Sequence, residues 1–445
     1  MFREGLKKLF SRIRPQKKEE AVPHYAFPSA MNAKTLAKDA IDTVTEISSI
    51  GPRLSLSKEE RMAAMRVMAK MEEFGVDAES MEFSAENRTQ LLWEKITGYA
   101  LPAVPLLILL GQPFFAFLSS LVLLSVFWFD GIMEKGIFSR FMKKETGMNV
   151  SGKISPESPE ERIIFSSHLD SARLFTEKDP TKLFYAAGGS LALGTVLSCI
   201  MTIFELVKGQ LFSFNFNPWI GIFLAVPLLA LSVFSMKIAK LYSGKVSPGA
   251  GDNLSGVGVA LSLAKYFSKN RLKHTSVEFA FFSSEETGKA GSREWFMKHE
   301  KDGSLVVNVD GLYSQDDLAV LMSDGNGTVK LDEALALEIE GLAIKMGYRM
   351  KTGKLSFLSG STDALNAAKA GFPATTVTSM IPGSENPGHT ENDTPETIDQ
   401  SVLETVIAVL IRFAEDRDRS HEIEETKKEE SGFLSSDRKY MITRD

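Results

Sequence analysis

The chain has 445 residues, of which 44% are hydrophobic and 24% are charged, and its formal net charge is −6 at pH 7. This length and composition are usual for a folded protein with a large buried core. The acidic balance argues against nucleic acid as the main partner, because proteins that bind nucleic acid usually present a basic face. A single cysteine excludes a disulfide framework and a thiolate zinc site.

The first 95 residues contain a basic N-terminal segment followed by the first part of a folded domain. Residues 1–33 predict a basic amphipathic segment, which suits a helix lying on an anionic membrane surface, although a solvated basic tail explains the same residues equally well. Residues 34–95 predict the first part of a folded domain. They have a helical pattern over 34–75, with a capping box at Ser57 and Glu60, and a strand pattern over 76–83.

Three stretches contain no charged residue, namely 96–129, 183–204 and 209–236. A membrane span needs about 20 apolar residues, and a buried soluble helix rarely exceeds that length without a polar face. The stretches therefore predict two membrane hairpins, over 96–130 and 183–241. The first is expected to turn near Gly111-Gln112-Pro113, because proline and glycine interrupt it there.

The hairpins divide one predicted domain into three parts, 34–95, 131–182 and 242–415, and a charged, disordered tail is predicted over 416–445. The domain is expected to be an α/β fold, a doubly wound and mostly parallel sheet with helices on both faces. Basic residues flank the spans on the side of this domain, whereas the opposite loops offer only Lys208. By the positive-inside tendency we predict an integral protein of the cell membrane whose domain faces the cytoplasm. The flanking basic residues are Lys95, Lys135, Arg140, Lys143, Lys144, Lys182, Lys237, Lys240 and Lys245.

Several motifs carry side chains of the kinds that bind metals, most of them where an apolar strand ends. Each motif is weak alone, because an N-capping aspartate, an exposed Glu-Glu pair or a loop histidine has an ordinary structural explanation. The residues are His168 with Asp170, Asp252 in a glycine-rich loop, Glu285 with Glu286, Asp310, and His389 in a late loop.

These residues point to a metal centre when they are taken together. The carboxyl ends of parallel strands converge on one crevice, where ligands bind. Zinc is bound by imidazole nitrogens and carboxylate oxygens, and one aspartate can bridge two ions. Two adjacent carboxylates such as Glu285 and Glu286 repel each other unless a cation or a proton relieves the repulsion. The set matches what a two-metal hydrolase needs.

The sequence also resembles a known family, the di-zinc exopeptidases that include aminopeptidase Y, bacterial leucyl aminopeptidases, glutamate carboxypeptidase II and glutaminyl cyclase. The resemblance covers residues 34–95, 131–182 and 242–415. The motifs that carry it are His168-Leu-Asp170-Ser, Gly251-Asp252-Asn253-Leu-Ser-Gly, Ser284-Glu285-Glu286-Thr-Gly, Asn308-Val-Asp310-Gly and His389-Thr-Glu-Asn-Asp393-Thr.

The resemblance implies a role for each residue of the set. His168 and Asp310 would hold one Zn²⁺, Glu286 and His389 would hold the other, and Asp252 would bridge them. Glu285 would be the general base, and Asp170 would orient His168. It further implies a peptide substrate and hydrolysis of a terminal peptide bond, most simply by an aminopeptidase.

The same residues also suit other functions. A glutaminyl-cyclase-like or other amide-bond reaction would suit the same scaffold, and so would a non-catalytic membrane scaffold. Carboxylate ligands also admit cobalt or manganese. The chain departs from the family by inserting the second hairpin between His168 and Asp252, beside the expected active site. This insertion suggests a crevice held close to the lipid bilayer and substrates derived from the membrane.

Overall fold

The computed structural model describes residues 33–86, 92–133, 135–137, 142–177, 180–210, 218–301, 303–357 and 359–441. The segment predicted over 1–33 lies outside these residues except for Ala33. The helices are α1 (Ala33–Ser48), α2 (Lys58–Glu73), α3 (Leu92–Ala100), α4 (Ala103–Leu109), α5 (Pro113–Val126), α6 (Pro180–Val207), α7 (Pro218–Ser235), α8 (Ser255–Lys269), α9 (Ala290–Lys298), α10 (Glu333–Lys345), α11 (Ala364–Lys369) and α12 (Gln400–Met441). The strands are β1 (Ala78–Glu86), β2 (Lys144–Ile154), β3 (Glu161–His168), β4 (Arg173–Phe175), β5 (Tyr242–Val246), β6 (Thr275–Phe282), β7 (Ser304–Asp310), β8 (Ala319–Leu321), β9 (Ser323–Asp324), β10 (Val329–Lys330), β11 (Lys351–Gly353) and β12 (Ala374–Thr378).

An eight-stranded sheet in the order β1-β2-β6-β3-β7-β12-β8-β11 forms the centre of the domain. Its central strands β6, β3, β7 and β12 are parallel neighbours, whereas β1 and β2 pair antiparallel at one edge and β8 pairs antiparallel with β12. The predicted large and mostly parallel sheet is therefore confirmed. The carboxyl ends of the central strands β6, β3 and β7 lie next to one another, along the side of the sheet where these strands end.

Both faces of the sheet are buried, as the apolar strands predict. Ile164 of β3 packs in one apolar cluster with Trp295 of α9 and Ala367 of α11. Its neighbours Ile163 and Phe165 point to the opposite face, where α8 packs on β3, and they are equally buried. Strands that are buried on both faces read as continuous apolar runs.

A second apolar cluster joins helices α3 to α7 into a bundle, with a core that includes Val104, Ile108, Leu123, Leu191 and Leu228. The bundle is connected to the domain through two antiparallel strand pairs. The segment of α3 to α5 lies between β1 and β2, and the segment of α6 and α7 lies between β4 and β5. Each apolar segment therefore leaves the domain and returns to it at the same place, which is the connectivity that a double crossing requires.

Within the described ranges, three helical stretches are long and apolar enough to cross a membrane, namely Pro113–Ile132, Pro180–Val207 and Trp219–Lys240. The predicted turn near Gly111 is present, and Gly111 has φ +69°. The first arm of that hairpin differs from the expectation, because it begins earlier, at Leu92, and breaks at Leu101-Pro102 into α3 and α4. Pro102 removes a backbone donor and so interrupts the helix.

The helical pattern predicted over 34–75 is present as two helices, because Gly51 with φ +97° and Pro52 end the first of them. The predicted capping box is confirmed: α2 begins at Lys58, the Ser57 hydroxyl accepts a hydrogen bond from Glu60 N, and the Glu60 carboxylate accepts one from Leu56 N.

Of the tail predicted to be disordered over 416–445, residues 416–441 instead continue α12, and residues 442–445 lie outside the described residues. Arg417 pairs with Glu161, and the Asp418 carboxylate accepts hydrogen bonds from backbone N–H groups of residues 273–275, so the start of the tail is fixed to the domain.

Candidate metal centre

Five side chains meet at the carboxyl edge of the sheet. His168 is the last residue of β3 and Asp310 the last of β7, so the parallel pairing of these strands brings them together. Glu286 follows β6 on the other side of β3. The remaining two residues come from loops, Asp252 just before α8 and His389 after β12.

The two carboxylate oxygens of Asp252 face two different groups of ligand atoms. Asp252 Oδ1 lies 3.2 Å from His168 Nε2, which is also 3.4 Å from Asp310 Oδ1. Asp252 Oδ2 lies 3.2 Å from His389 Nε2, which is 3.6 Å from Glu286 Oε2. The site thus consists of two histidine–carboxylate groups that share one aspartate.

The donor atoms have the chemistry and spacing of a metal site. One ligand atom each from His168, Asp252 and Glu286 lie within 4.8 Å of one another. Among the described residues, the buried Glu286 Oε1 has no hydrogen-bond partner. The two carboxylates of this group, Asp252 and Glu286, repel each other at such a short distance in a buried place, and a cation relieves that repulsion. The residues therefore fit a metal ion.

The carboxylates around the two histidines raise the pKa values of both imidazoles, which shows an excess of negative charge at the site. Burial alone lowers the pKa of His168, but the carboxylates of Asp310, Asp170 and Asp252 raise it well above the ordinary value. Burial acts in the same direction on His389, yet Glu286 and Asp252 raise its pKa to about 9. A bound cation would satisfy this negative potential while the imidazoles stay neutral, as ligation requires.

Asp170 contacts both the His168 ring and the backbone of the Glu285-Glu286 pair. Its Oδ1 atom lies 3.3 Å from His168 Nδ1, on the side of the imidazole away from Asp252. Its two oxygens also accept hydrogen bonds of 3.0 Å from the backbone N–H groups of Glu285 and Glu286, and the Ser55 hydroxyl donates to it. A carboxylate behind a ligating histidine fixes the orientation and tautomer of the ring.

Glu285 lies in the same cavity, buried, and next to an unexpected cation. Burial raises the pKa of its carboxyl well above that of a free glutamate, and the ammonium of Lys289 opposes this shift. Lys289 Nζ is 3.4 Å from Glu285 Oε1, and Lys289 is itself almost fully buried. Lys289 was not among the predicted site residues. A lysine one turn after a glutamate pair was the only available signal.

Three further residues shape the site and were not predicted. Asp393 accepts hydrogen bonds from the backbone N–H groups of Gly251 at 2.7 Å and Asp252 at 3.3 Å, and burial together with Asp252 raises its pKa to about 6. The Arg53 guanidinium donates to the carbonyls of Leu169 and Gly249. Glu60, expected only as part of a helix cap, accepts from Ser284 N just before Glu285.

Comparison with known proteins identifies the domain. Residues 235–414 match the sequence profile of peptidase family M28. The chain carries a peptidase family M28 domain. The match confirms the family resemblance drawn from the motifs. It includes Asp252, Glu285, Glu286, Asp310 and His389, whereas His168 and Asp170 lie before it.

Relatives of the M28 domain are distant in sequence. The chain is 25% identical over 181 residues to a probable leucine aminopeptidase of Arthroderma benhamiae, covering 38% of this chain and 48% of the relative. The chain therefore spans about half the length of the curated relative that it matches. Solved structures similar in fold include Porphyromonas gingivalis glutaminyl cyclase, with 15% identity, TM-score 0.52 and coverage of 86% of this chain and 98% of that one. A Zn-dependent exopeptidase from Parabacteroides distasonis has 13% identity, TM-score 0.51 and coverage of 85% and 97%.

Proposed function

We propose that the protein is a membrane-anchored exopeptidase that uses two metal ions, most simply an aminopeptidase that removes residues from peptide ends. One observation carries the proposal: each carboxylate oxygen of Asp252 faces a separate histidine and carboxylate. The M28 domain and the aminopeptidase name of its curated relative support the reaction class.

In this proposal His168 and Asp310 would hold one zinc ion, Glu286 and His389 would hold the other, and Asp252 would bridge them. When bound, the ions would polarise the scissile carbonyl and lower the pKa of a water molecule at the site. Asp170 keeps His168 in the ligating orientation, and Asp393 holds the backbone of Asp252 in place.

Glu285 is the proposed general base. Its carboxylate lies in the cavity, its backbone is fixed by Asp170, and no metal-ligand role is assigned to it. It would take a proton from the attacking water and deliver it to the nitrogen of the leaving amine. Lys289 stabilises the ionised form of this carboxyl, which is the form that a base needs.

The distribution of buried and exposed residues in the bundle supports the proposed membrane anchor. Helix α6 buries small and polar residues such as Ser190, Ser198 and Thr202, and it exposes Ile200 and Phe204. The Ser190 and Ser232 hydroxyls meet between α6 and α7 at 3.0 Å. Small and hydroxyl residues at helix contacts, with large apolar residues facing outward, are typical of helices packed in lipid.

The proposed orientation places the catalytic domain on the cytoplasmic face of the cell membrane. It depends on the basic residues near the domain-side ends of the spans, such as Lys182, Lys237 and Lys240. At the other ends of the spans, Lys208 is the single basic residue in the sequence between α6 and α7.

The test is the Glu285→Gln variant of the full chain. We expect it to keep its bound metal and to lose hydrolysis of aminoacyl anilides, because glutamine cannot accept the proton from water. Glu300→Gln, on the exposed surface of the domain, is the matched control and should retain activity. Retained turnover in Glu285→Gln with verified metal content would contradict the assigned role.

The substrate panel separates the remaining reactions. Peptides blocked at either end distinguish an aminopeptidase from a carboxypeptidase, and a peptide with N-terminal glutamine tests cyclisation. Turnover of the glutaminyl peptide without hydrolysis of free N-termini would favour the cyclase reaction. Wild-type protein that binds metal and turns over none of these substrates would favour a non-catalytic scaffold.

A further inference from the structure

The cavity at the metal centre is walled on one side by the apolar bundle. It has a volume of about 570 Å³, within the range of small-molecule sites. Besides the metal-centre residues it is lined by Trp93 of α3, Gly131 after α5, and Thr181 and Phe184 of α6. A side chain at Gly131 would come within 3.0 Å of the Trp93 ring, so the glycine allows the indole to pack there.

Packing between helices fixes this wall. The ring of Trp93 lies 5.8 Å from that of Phe184 and 6.1 Å from that of Phe127, measured between centroids. The three rings belong to three different segments of the bundle core. The bundle therefore contributes a packed apolar surface to the site, in addition to its proposed role as membrane anchor.

A groove continues from the cavity to the outside of the bundle. Thr181, Ser359 and Pro382 line both the cavity and the groove, and Tyr185 and Phe357 line the groove further out. Tyr185 is 55% exposed and Phe357 is 41% exposed. The Phe357 carbonyl accepts a hydrogen bond from the Tyr185 hydroxyl at 3.4 Å, which ties the domain loop to α6.

The outer end of the groove carries aromatic residues at the level expected for a membrane surface. The Phe357 ring lies 6.2 Å from the ring of Trp128, which is 39% exposed near the domain-side end of a candidate span. Helix α6 has 28 residues, so at ~1.5 Å per residue it is ~42 Å long and exceeds the ~30 Å hydrocarbon layer. Its first turns, with Tyr185, then lie among the headgroups, where tyrosine and tryptophan are favoured.

From this geometry we infer that the substrates are peptides held in the membrane, which reach the metal centre through the groove between Tyr185 and Phe357. The inference rests on the proposed exopeptidase function and specifies its substrate class. The free terminus of the peptide occupies the cavity beside Phe184, and the apolar remainder of its chain leaves past the aromatic residues into the lipid. A soluble peptide gains nothing from the outer half of this path.

The test uses full-length protein in vesicles of phosphatidylcholine and phosphatidylglycerol. Two peptides share the same N-terminal residues, and one of them continues into an apolar segment that binds the vesicle. Phe357→Glu places a charge at the outer end of the groove. We expect it to lower kcat/KM for the vesicle-bound peptide by about tenfold or more, the usual effect of damaging an apolar subsite, and to change kcat/KM for the soluble peptide little.

The matched control is Ile344→Glu, at a comparably exposed apolar residue of α10 that lines neither the cavity nor the groove. This variant should leave the ratio of kcat/KM for the vesicle-bound peptide to kcat/KM for the soluble peptide as it is in wild type. Because every variant is compared by this ratio, the higher local concentration of the bound peptide on the vesicle does not affect the comparison. Phe357→Ala is a milder second variant and should shift the ratio in the same direction.

An unchanged ratio in both Phe357 variants, or an equal loss for both peptides, would overturn the inference and leave the exopeptidase proposal intact. If wild-type protein with bound metal cleaves neither peptide, the proposed function fails, and the inference fails with it.

Discussion

The ring of Phe175 stacks on the imidazole of His389, with centroids 4.8 Å apart and planes 12° from parallel. Phe175 is the last residue of β4, the strand that leads into the second apolar hairpin, and it also packs against the core of the bundle. One aromatic side chain thus contacts both a candidate metal ligand and the apolar helices. The position of His389 therefore depends on the position of the bundle.

Phe175→Leu should weaken metal binding at the His389 side of the site. Leucine keeps the apolar contact with the bundle but loses the flat surface that orients the imidazole. Residues behind metal ligands commonly change metal affinity by about 10–100-fold, and we expect about tenfold here. Chelator competition measures the effect, and Phe115→Leu, on the exposed side of α5, is the control. Equal metal affinity in the two variants would show that the stacking has no such role.

Asp170→Asn should be more damaging than Ser55→Ala. The carboxylate faces His168 and accepts from the N–H groups of both Glu285 and Glu286, and an asparagine NH₂ group would face a donor in place of one acceptor oxygen. Ser55→Ala removes one hydrogen bond and leaves the carboxylate. We expect a loss of metal affinity of about 10–100-fold for Asp170→Asn and a smaller loss for Ser55→Ala. Metal titration would contradict this account if the two variants matched wild type.

Asp324 should make thermal stability depend on pH. Burial raises its pKa to about 6, although Thr362 and the Gly325 N–H donate hydrogen bonds to its carboxylate. The folded protein holds this proton more tightly than the unfolded chain, so the contribution to stability is complete below pH ~4 and is lost as the pH rises through ~6. The difference amounts to about 3 kcal/mol.

The Asp324→Asn variant removes this titration. Its Tm relative to wild type should therefore rise between pH 5 and pH 8, on the order of a few degrees. Asp316→Asn, at an exposed position, should show no such trend. A constant Tm difference across this pH interval for Asp324→Asn would mean that the carboxyl titrates normally in the folded protein.

The single cysteine allows the proposed orientation to be mapped. In a Cys199→Ser background, Lys208→Cys places a thiol at the end of α6 far from the domain, and Lys298→Cys places one on α9. A membrane-impermeant maleimide should label Lys208→Cys in intact cells and Lys298→Cys only after permeabilisation. The reverse pattern would place the catalytic domain outside the cytoplasm, and equal labelling would argue against a membrane-spanning protein.

The sequence predicted the sheet and the assembly of the site because strands that end in metal-type residues share one edge when they are parallel. His168, Asp310 and Glu286 follow directly from this rule. Asp252 and His389 do not, because they lie in loops; their sequence context made them candidates, and the family resemblance implied their roles. The rule also does not predict Arg53 or Lys289, because their roles depend on contacts between loops far apart in sequence.

Interruptions and contacts at the ends of elements were harder to predict. The break at Leu101-Pro102 was hidden inside an apolar run that otherwise satisfied the length of a span. The tail looked disordered because its composition is charged, but Arg417 and Asp418 find partners on Glu161 and on the backbone before β6. Charge predicts exposure only when no opposite charge or free donor lies within reach.

The bridging position of Asp252 is the claim on which the remaining assignments depend, and the metal content of purified protein tests it most directly. Elemental analysis of wild-type protein loaded with zinc should give two ions per chain, with Asp316→Ala as an exposed control that retains both. Asp252→Ala should lose both ions together, because its two oxygens serve both groups of ligands. One ion per wild-type chain, or two ions retained by Asp252→Ala, would contradict the account.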